Sequence, residues 1–461
     1  MEYINRRHFL AQSIRGAAGV SLGMATWSLA ADNVLGANNK VVLALIGAGN
    51  RGCTVFKRMV EENKNVEAKY ICDVDDTRGG AIISELEKIQ GYAPKRVIDM
   101  REVFDDKDVD GVVIATPEHW HALATVWACQ AGKDVFVEKN ISMNMWESRK
   151  MLEAARKYNR IVDSGAQNRS APYGLTARQY IKDGKLGKVL HVKVFNMLLE
   201  GGKWNPPADS DAPPAGLDWD RWLGPAPERK YNPYIHKRWS DCWAYGTGEL
   251  GHGASHQLDM ARMVLGDPEH PKSVYAAGGR MSNDDKRDTP DLQVITYDYG
   301  KYIMTMDMAC FTPYLNKEGA DVRLSEKFPD WKRNSTRIEI YGTEAMMYVG
   351  RMGGGWQVFA AKGKDKKEKI AELVDQDPGY LPDKWHEANF IDCIRSRKLP
   401  NGDIEQSHYS TALVHMGNFS TRVGGKHLVF DTKEEKFTNS DEANKLLKLE
   451  YRSKYSLSET V

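Results

Sequence analysis

Residues 41–59, VVLALIGAGNRGCTVFKRM, decide the fold. Val41 to Ile46 is an apolar run suited to a strand covered on both faces, and Gly47, Gly49 and Gly52 follow at G-x-G-x-x-G spacing. In such a turn the first glycine permits the bend, the second lets backbone approach a pyrophosphate, and the third lets the helix pack on its strand. A second apolar run, VEAKYICDVD, ends at Asp73, 21 positions past Gly52, where a carboxylate accepts hydrogen bonds from ribose hydroxyls. That acid repels a 2'-phosphate, so NAD is expected and NADP disfavoured.

The alternation continues through DGVVIATP (110–117), a helix around Ala122 to Ala131, DVFVEKN (134–140), a helix from Met145 to Tyr158, and RIVDSGAQ (160–167). Strands separated by helices of this length imply a parallel, doubly wound sheet, with ligands beyond the carboxyl ends of its strands. Those ends carry TPEHWHA, EKN and GAQNRS. The expected nucleotide residues are therefore Gly47, Gly49, Asn50, Arg51, Gly52, Asp73, Thr116, Pro117, His119, His121, Glu138, Lys139 and Gln167.

From Lys188 onward the pattern changes to period-2 runs such as KVLHVKVFNML, DLQVITYDY and KYIMTMDMA with few long helices between them, which favours an antiparallel sheet. A segment from about Ala254 to Leu265 reads as a helix ended by Gly266, with His252, His256 and Asp259 at its head. HGASH lacks the glutamate of a metal-binding H-E-x-x-H pair and has no evident third ligand, so no metal is expected. His386 and Glu387 in KWHEANF read as ordinary helix surface.

These motifs resemble the Gfo/Idh/MocA oxidoreductases, whose members join a Rossmann domain to an α/β domain with an open, mostly antiparallel sheet. The family's E-K-P reads Glu138, Lys139, Asn140 here, and its D-x-x-x-H-x-x-D reads His252, His256, Asp259 with histidine in place of the first aspartate. The resemblance implies that Lys139 stabilises a reacting hydroxyl while His256 moves its proton; His252, standing where the family has aspartate, changes the local charge and is a third catalytic candidate. It also makes a homo-oligomer the expected assembly. The chain divides accordingly into an export signal and linker (1–37), a nucleotide domain (38–167) and a substrate domain (168–461).

Composition narrows the partners. With 64 Lys plus Arg against 63 Asp plus Glu there is no basic field for nucleic acid. Six scattered cysteines suggest buried thiols and no disulfide framework. Arg6 and Arg7 ahead of a weakly apolar stretch resemble a twin-arginine export signal, which points to the periplasm, and no run reaches the ~20 apolar residues of a membrane span. Aromatics in a Pro- and Gly-rich stretch, Trp204, Trp239, Trp243 and Tyr245 among them, suit the stacking of sugar rings, while Trp219 and Trp222 are the first expected to pin the loop. Polar partners for the sugar are expected in Lys139, Arg169, His236, His252, His256 and Asp259. AAKGKDKKEKI (360–370) reads as a solvated loop. The expectation is an NAD-dependent dehydrogenase of a carbohydrate hydroxyl; a redox-assisted glycoside hydrolase and a non-catalytic sugar- or nucleotide-binding protein are the alternatives.

Overall fold

The computed structural model describes residues 40–199, 207–282, 285–360 and 371–461. The Arg6–Arg7 stretch, Trp204 and residues 361–370 lie outside the described residues.

Six parallel strands form the first sheet: β1 (Val41–Ile46), β2 (Val66–Cys72), β3 (Lys95–Val97), β4 (Gly111–Ile114), β5 (Asp134–Val137) and β6 (Val162–Ser164), in the order β3-β2-β1-β4-β5-β6. The order reverses between β1 and β4, so the crevice that takes a ligand in such sheets opens beyond Ile46 and Ile114. Helices α1 (Asn50–Glu62), α2 (Gly80–Gln90), α3 (Met100–Asp105), α4 (His121–Gln130) and α5 (Met145–Lys157) connect the strands. In α1 the buried Val55, Phe56, Met59 and Val60 recur at helical spacing and cover the sheet.

After α6 (Pro172–Lys182) the chain builds a ten-stranded sheet from β7 (Val189–Met197), β8 (Ser273–Gly279), β9 (Leu292–Asp298), β10 (Ile303–Ala309), β11 (Ile338–Gly342), β12 (Ala345–Val349), β13 (Trp356–Ala360), β14 (Leu373–Asp377), β15 (Leu428–Asp431) and β16 (Lys436–Phe437). Its order is β14-β13-β12-β11-β7-β10-β9-β8-β15-β16, and every pairing is antiparallel except β7 with β10. Met304, Met306 and Met308 point inward from alternate positions of β10, each burial contributing about 1.5–3 kcal/mol. The helix α7 (Ser255–Val264) and the nineteen-residue α9 (Ile404–Arg422) cover this face; α9 packs on β8 and also on α5, tying the two sheets together.

One expectation fails here, and late segments of the chain that pack across 167/168 onto the first sheet show why. Helix α8 (Asp383–Ser396) buries Phe390 against Phe136 of β5, and Tyr455, Leu457 and Val461 join the first sheet's core, because that sheet needs cover on both faces. His386 and Glu387 are accordingly interior. The His386 ring sits between Ser170 Oγ (2.8 Å) and the Ser164 carbonyl (2.7 Å), and Glu387 holds Arg58.

On α9, His408 and His415 are fully buried beside Ser148 and Ser142, and burial pushes their rings down to about 4 and about 3. The unfolded chain takes up protons near pH 6.5 that the folded chain refuses, so this stability is complete above pH 6.5 and is lost as pH falls toward 4. Each ring withdraws up to about 3 kcal/mol over that interval. Urea midpoints measured between pH 7 and pH 4 should fall steadily, and His415→Leu should flatten the slope; an unchanged slope would refute the assignment.

Candidate active site

The turn after β1 shows why glycine stands where it does. At Gly47, with φ +93°, a Cβ would lie 2.7 Å from the Ala115 carbonyl carbon, and at Gly52 it would lie 2.2 Å from the Gly47 oxygen. Those two glycines are fixed by the protein's own backbone. Gly49 is different: its nearest neighbour would be Arg78 Nη1 at 3.4 Å, so this position faces open space. Beyond it lies a cavity of about 510 Å³. The amides at the start of α1 open toward that space without a side-chain cap and with no acid in the first turn, which leaves them to an anion. Asp73, also on the cavity wall, is steadied by the Ala48 amide (2.7 Å) and the Asp75 amide (2.9 Å), and burial raises its carboxyl. An open glycine, free amides and a fixed carboxylate fit the pyrophosphate and ribose of a dinucleotide.

The rest of the wall comes from distant segments: Asn50 and Arg51 of α1, Thr116 and Pro117 after β4, Trp120, His236, Trp239 and, from the last residues of the chain, Tyr455. Trp120 meets Tyr455 edge-on with ring centroids 5.3 Å apart. Gln167 is completely buried with both amide atoms lacking a protein partner, as is the Thr116 hydroxyl, so polar groups at two strand ends await one. His119 and His121, expected at the nucleotide, do not face this cavity. His119 is wedged between Trp222 and Tyr245 with Nε2 2.9 Å from the Trp222 carbonyl. His121 has one ring nitrogen 2.8 Å from the Thr116 carbonyl and the other 2.8 Å from that of Asn140, which pins two strand ends together. Trp219 and Trp222 stack at 4.5 Å inside a small aromatic core, as expected of the loop-pinning pair.

At the end of β5, Glu138 accepts from Arg51 Nε (2.7 Å), so the strand end and the glycine turn share one ion pair. Lys139 follows with a cis peptide to Asn140. Its ammonium donates to the His252 carbonyl at 2.6 Å, in a turn of π-helix (Leu250–Ala254) that runs directly into α7. A wide turn of this kind frees carbonyls and recurs at functional sites. Burial lowers the Lys139 ammonium, opposed by the carboxylates of Glu138, Glu118 and Glu249.

Glu118 went unremarked in the sequence although it stands inside TPEHWHA. It is fully buried, accepts from the Thr247 amide (2.8 Å) and hydroxyl (2.7 Å), and burial pushes it up to about 7. Arg351, in the β12–β13 turn, was also missed, since nothing local marks it. It donates to Gln257 Oε1 at 3.2 Å beside His256.

His252 is exposed, its ring 6.2 Å from that of Trp239, and the Lys139 charge is the largest influence holding it down to about 3. His256 is half-buried and held well below the usual imidazole range by burial, then by Arg351 and Lys139. Both rings are neutral at pH 7, and neutral imidazole accepts a proton. Arg169 and Asp259, expected at the sugar, are buried against each other at 2.7 Å; Asp267 takes the other side of Arg169 at 3.0 Å, and Ser410 donates to Asp259 at 2.7 Å. Arg169 thus braces Asp259 of α7 from below, and Asp259 lines a small pocket together with Lys139 and His256. One set of metal-type side chains occurs among the described residues, His270, His408 and Glu435, remote from HGASH in sequence. Arg149 already occupies it, pairing with Glu435 and lying 3.0 Å from His408 Nε2, and a guanidinium there opposes a cation.

Residues 41–166 match the model of an oxidoreductase family described as an NAD-binding Rossmann fold, and residues 177–328 and 338–457 match that family's C-terminal alpha/beta domain. The scyllo-inositol 2-dehydrogenase (NAD(+)) of Bacillus subtilis is 24% identical over 370 residues, covering 78% of this chain and 88% of that enzyme. A glycosyl hydrolase family 109 protein of Stenotrophomonas maltophilia is 27% identical over 295 residues, 60% of this chain and 62% of its own. The solved WlbA dehydrogenase of Bordetella pertussis, in complex with NADH and UDP-GlcNAcA, shares the fold with a TM-score of 0.60 at 18% identity, over 85% of this chain and 99% of that one. With both of the family's domains matched around an open glycine turn and a strand-end lysine, the chain belongs to the Gfo/Idh/MocA oxidoreductases and binds NAD.

Proposed function

We propose that this enzyme oxidises a secondary hydroxyl of a sugar, glycoside or polyol, with Lys139 and His256 as its catalytic pair. The observation that carries the reading is that an ammonium and a neutral imidazole, from opposite halves of the fold, line one small pocket at the strand ends. The dehydrogenase relative acts on an inositol, which supports a polyhydroxylated substrate.

Bound NAD supplies the hydride acceptor. The protein's part is the proton. Lys139 donates a hydrogen bond to the substrate oxygen and stabilises its developing negative charge, and the bare nitrogen of His256 takes the hydroxyl proton. Trp239, which borders both the nucleotide cavity and an adjoining cavity of about 310 Å³ with Asp241, Glu249 and His252 in its wall, offers a flat face for a sugar ring. Asn50, Arg51 and Asp73 hold the nucleotide.

Redox-assisted glycoside cleavage is the second reading, favoured by the family 109 relative. It calls for an additional proton donor, and His252, held down to about 3, is a poor one at neutral pH. The Arg6–Arg7 stretch supports export of this enzyme.

Three measurements test the reading. Single-turnover absorbance of NADH with a panel of sugars, polyols and aryl glycosides should give stable reduction, lowered about 10²–10⁴-fold in Lys139→Met and His256→Gln; glycoside cleavage without net NADH would favour the hydrolase instead. Because His256 is neutral down to well below pH 6.5, kcat/KM for oxidation should hold level through pH 7 and fall only under more acid conditions. Asp73→Ser should weaken NAD binding and, with Arg78 beside the same turn, narrow the preference over NADP by at least about tenfold in titrations with each nucleotide.

A further inference from the structure

Arg351, Lys139, Arg51 and His252 all bear on His256, and of these Arg351 weighs most. Three bonds fix where its turn stands. The Met352 amide donates to Asn168 Oδ1 at 2.8 Å, Asn168 Nδ2 donates to the His256 carbonyl at 3.3 Å, and the Gly353 amide donates to the Tyr173 hydroxyl at 3.1 Å. The β12–β13 turn is thereby tied to the start of α7. From it Arg351 Nη1 donates to the Gly253 carbonyl at 3.4 Å and to Gln257 Oε1 at 3.2 Å, to either side of His256 in sequence. The other edge of the guanidinium is unused. Among the described residues Nε is buried without a partner, and Nη2 makes no hydrogen bond and is not enclosed. The carboxylates that bear on Arg351 are engaged elsewhere: Glu249 accepts from Asn196 at 2.8 Å, and Glu318 accepts from Asn334 and Thr336 and lies 3.8 Å from Arg323. Other arginines drawn into the interior are matched, Arg58 by Glu387 and Arg169 by Asp259 and Asp267. Arg351 forms no ion pair among the described residues. A guanidinium held still with two N–H groups free on one edge suits a carboxylate.

We propose that Arg351 is a substrate-binding residue that receives a carboxylate, which makes the substrate a sugar acid, a uronate or an aldonate. The inference rests on the reading of His256 as the base and narrows the sugars and polyols proposed above. The carboxylate is a spectator in the bond changes: hydride leaves the carbinol carbon for NAD, and the hydroxyl proton passes to His256. What matters is its charge. It cancels the cation that weighs most on the imidazole, so the base gains strength when the acid is in place. A neutral sugar leaves Arg351 uncompensated and His256 reluctant. A phosphate dianion would bring two negative charges into a cleft where Glu249 and Glu118 already stand around Lys139.

The test uses the full chain loaded with nucleotide and matched substrates: D-glucuronate, D-galacturonate and D-gluconate against D-glucose, D-galactose and a hexose phosphate. The parent should prefer a sugar acid in kcat/KM by at least about tenfold, and Arg351→Gln should erase that preference, chiefly through KM. Arg351→Lys, which keeps the charge without the fork, should retain part of it. A titration separates binding from mere support of the turn. Followed by ¹⁵N signals in NADH-loaded protein, where no oxidation can occur, His256 should titrate at higher pH once a sugar acid of the panel is added, and also in Arg351→Gln without ligand; D-glucose should not move it. If Arg351→Gln does not fold, Arg351→Lys and the parent's titration decide. Parent selectivity for a neutral sugar or the phosphate, or a titration that no sugar acid moves, overturns the inference while an inactive His256→Gln leaves the base in place. An active His256→Gln overturns the base itself, and the selectivity of Arg351→Gln then still decides the carboxylate.

Discussion

A lysine ammonium set where the end of β5 meets the turn before α7 draws partners of opposite charge around it, and much of the site is arranged by that charge. Lys139 reaches across to the His252 carbonyl, so the end of β5 and the turn before α7 are joined by one charge-assisted hydrogen bond. Three carboxylates, Glu138, Glu118 and Glu249, surround the same charge. Glu138 is shared with Arg51 of the glycine turn, which couples the nucleotide's anchor electrostatically to the reacting end of the site. Glu118 brings the constraint inward: it sits on the loop after β4, takes two bonds from Thr247, and thereby fixes the segment that leads into the π-helical turn.

The same positive field sets the state of the histidines. Lys139 is the largest influence holding down His252, and it adds to burial and Arg351 at His256. A neutral ring is the correct starting form for accepting a proton, but a ring forced neutral by neighbouring cations is a reluctant base. The ammonium that stabilises a substrate oxyanion thus works against the imidazole that receives the proton. Arg169, gripped by Asp267 on its other side, fixes the Asp259 side chain in place below the cleft.

Much of this was legible in the chain. The turn from Gly47 to Gly52, the spacing to Asp73, the strand-end lysine and the change from helical to period-2 patterning are local signals, and local signals determine element type and order. What escaped was set by packing. KWHEANF has the look of a surface helix because its polar residues outnumber its apolar ones, yet Glu387 is balanced by Arg58 and His386 by two serine oxygens, partners more than two hundred positions away in sequence. His119 and His121 stand at the correct strand end but turn inward to carbonyls. Arg169 and Asp259 have the right chemistry for a sugar and are taken by each other. Arg351 comes from a hairpin turn far along the chain, and no spacing rule connects it to His256.

The nucleotide cavity shows how far such long-range dependence goes. Its floor is local, built within residues 46–73, but its rim requires Trp120, Trp222 and Trp239 from two separate segments and Tyr455 from the chain's last residues. Arg452 anchors that final segment to the Gly224 carbonyl at 2.8 Å and to Asp220 at 2.7 Å, so the tail and the aromatic loop close on the cavity together. The walls of the cavity exist only where these distant segments have packed together, whereas the glycine turn at its floor is shaped by the close backbone approaches that Gly47 and Gly52 permit.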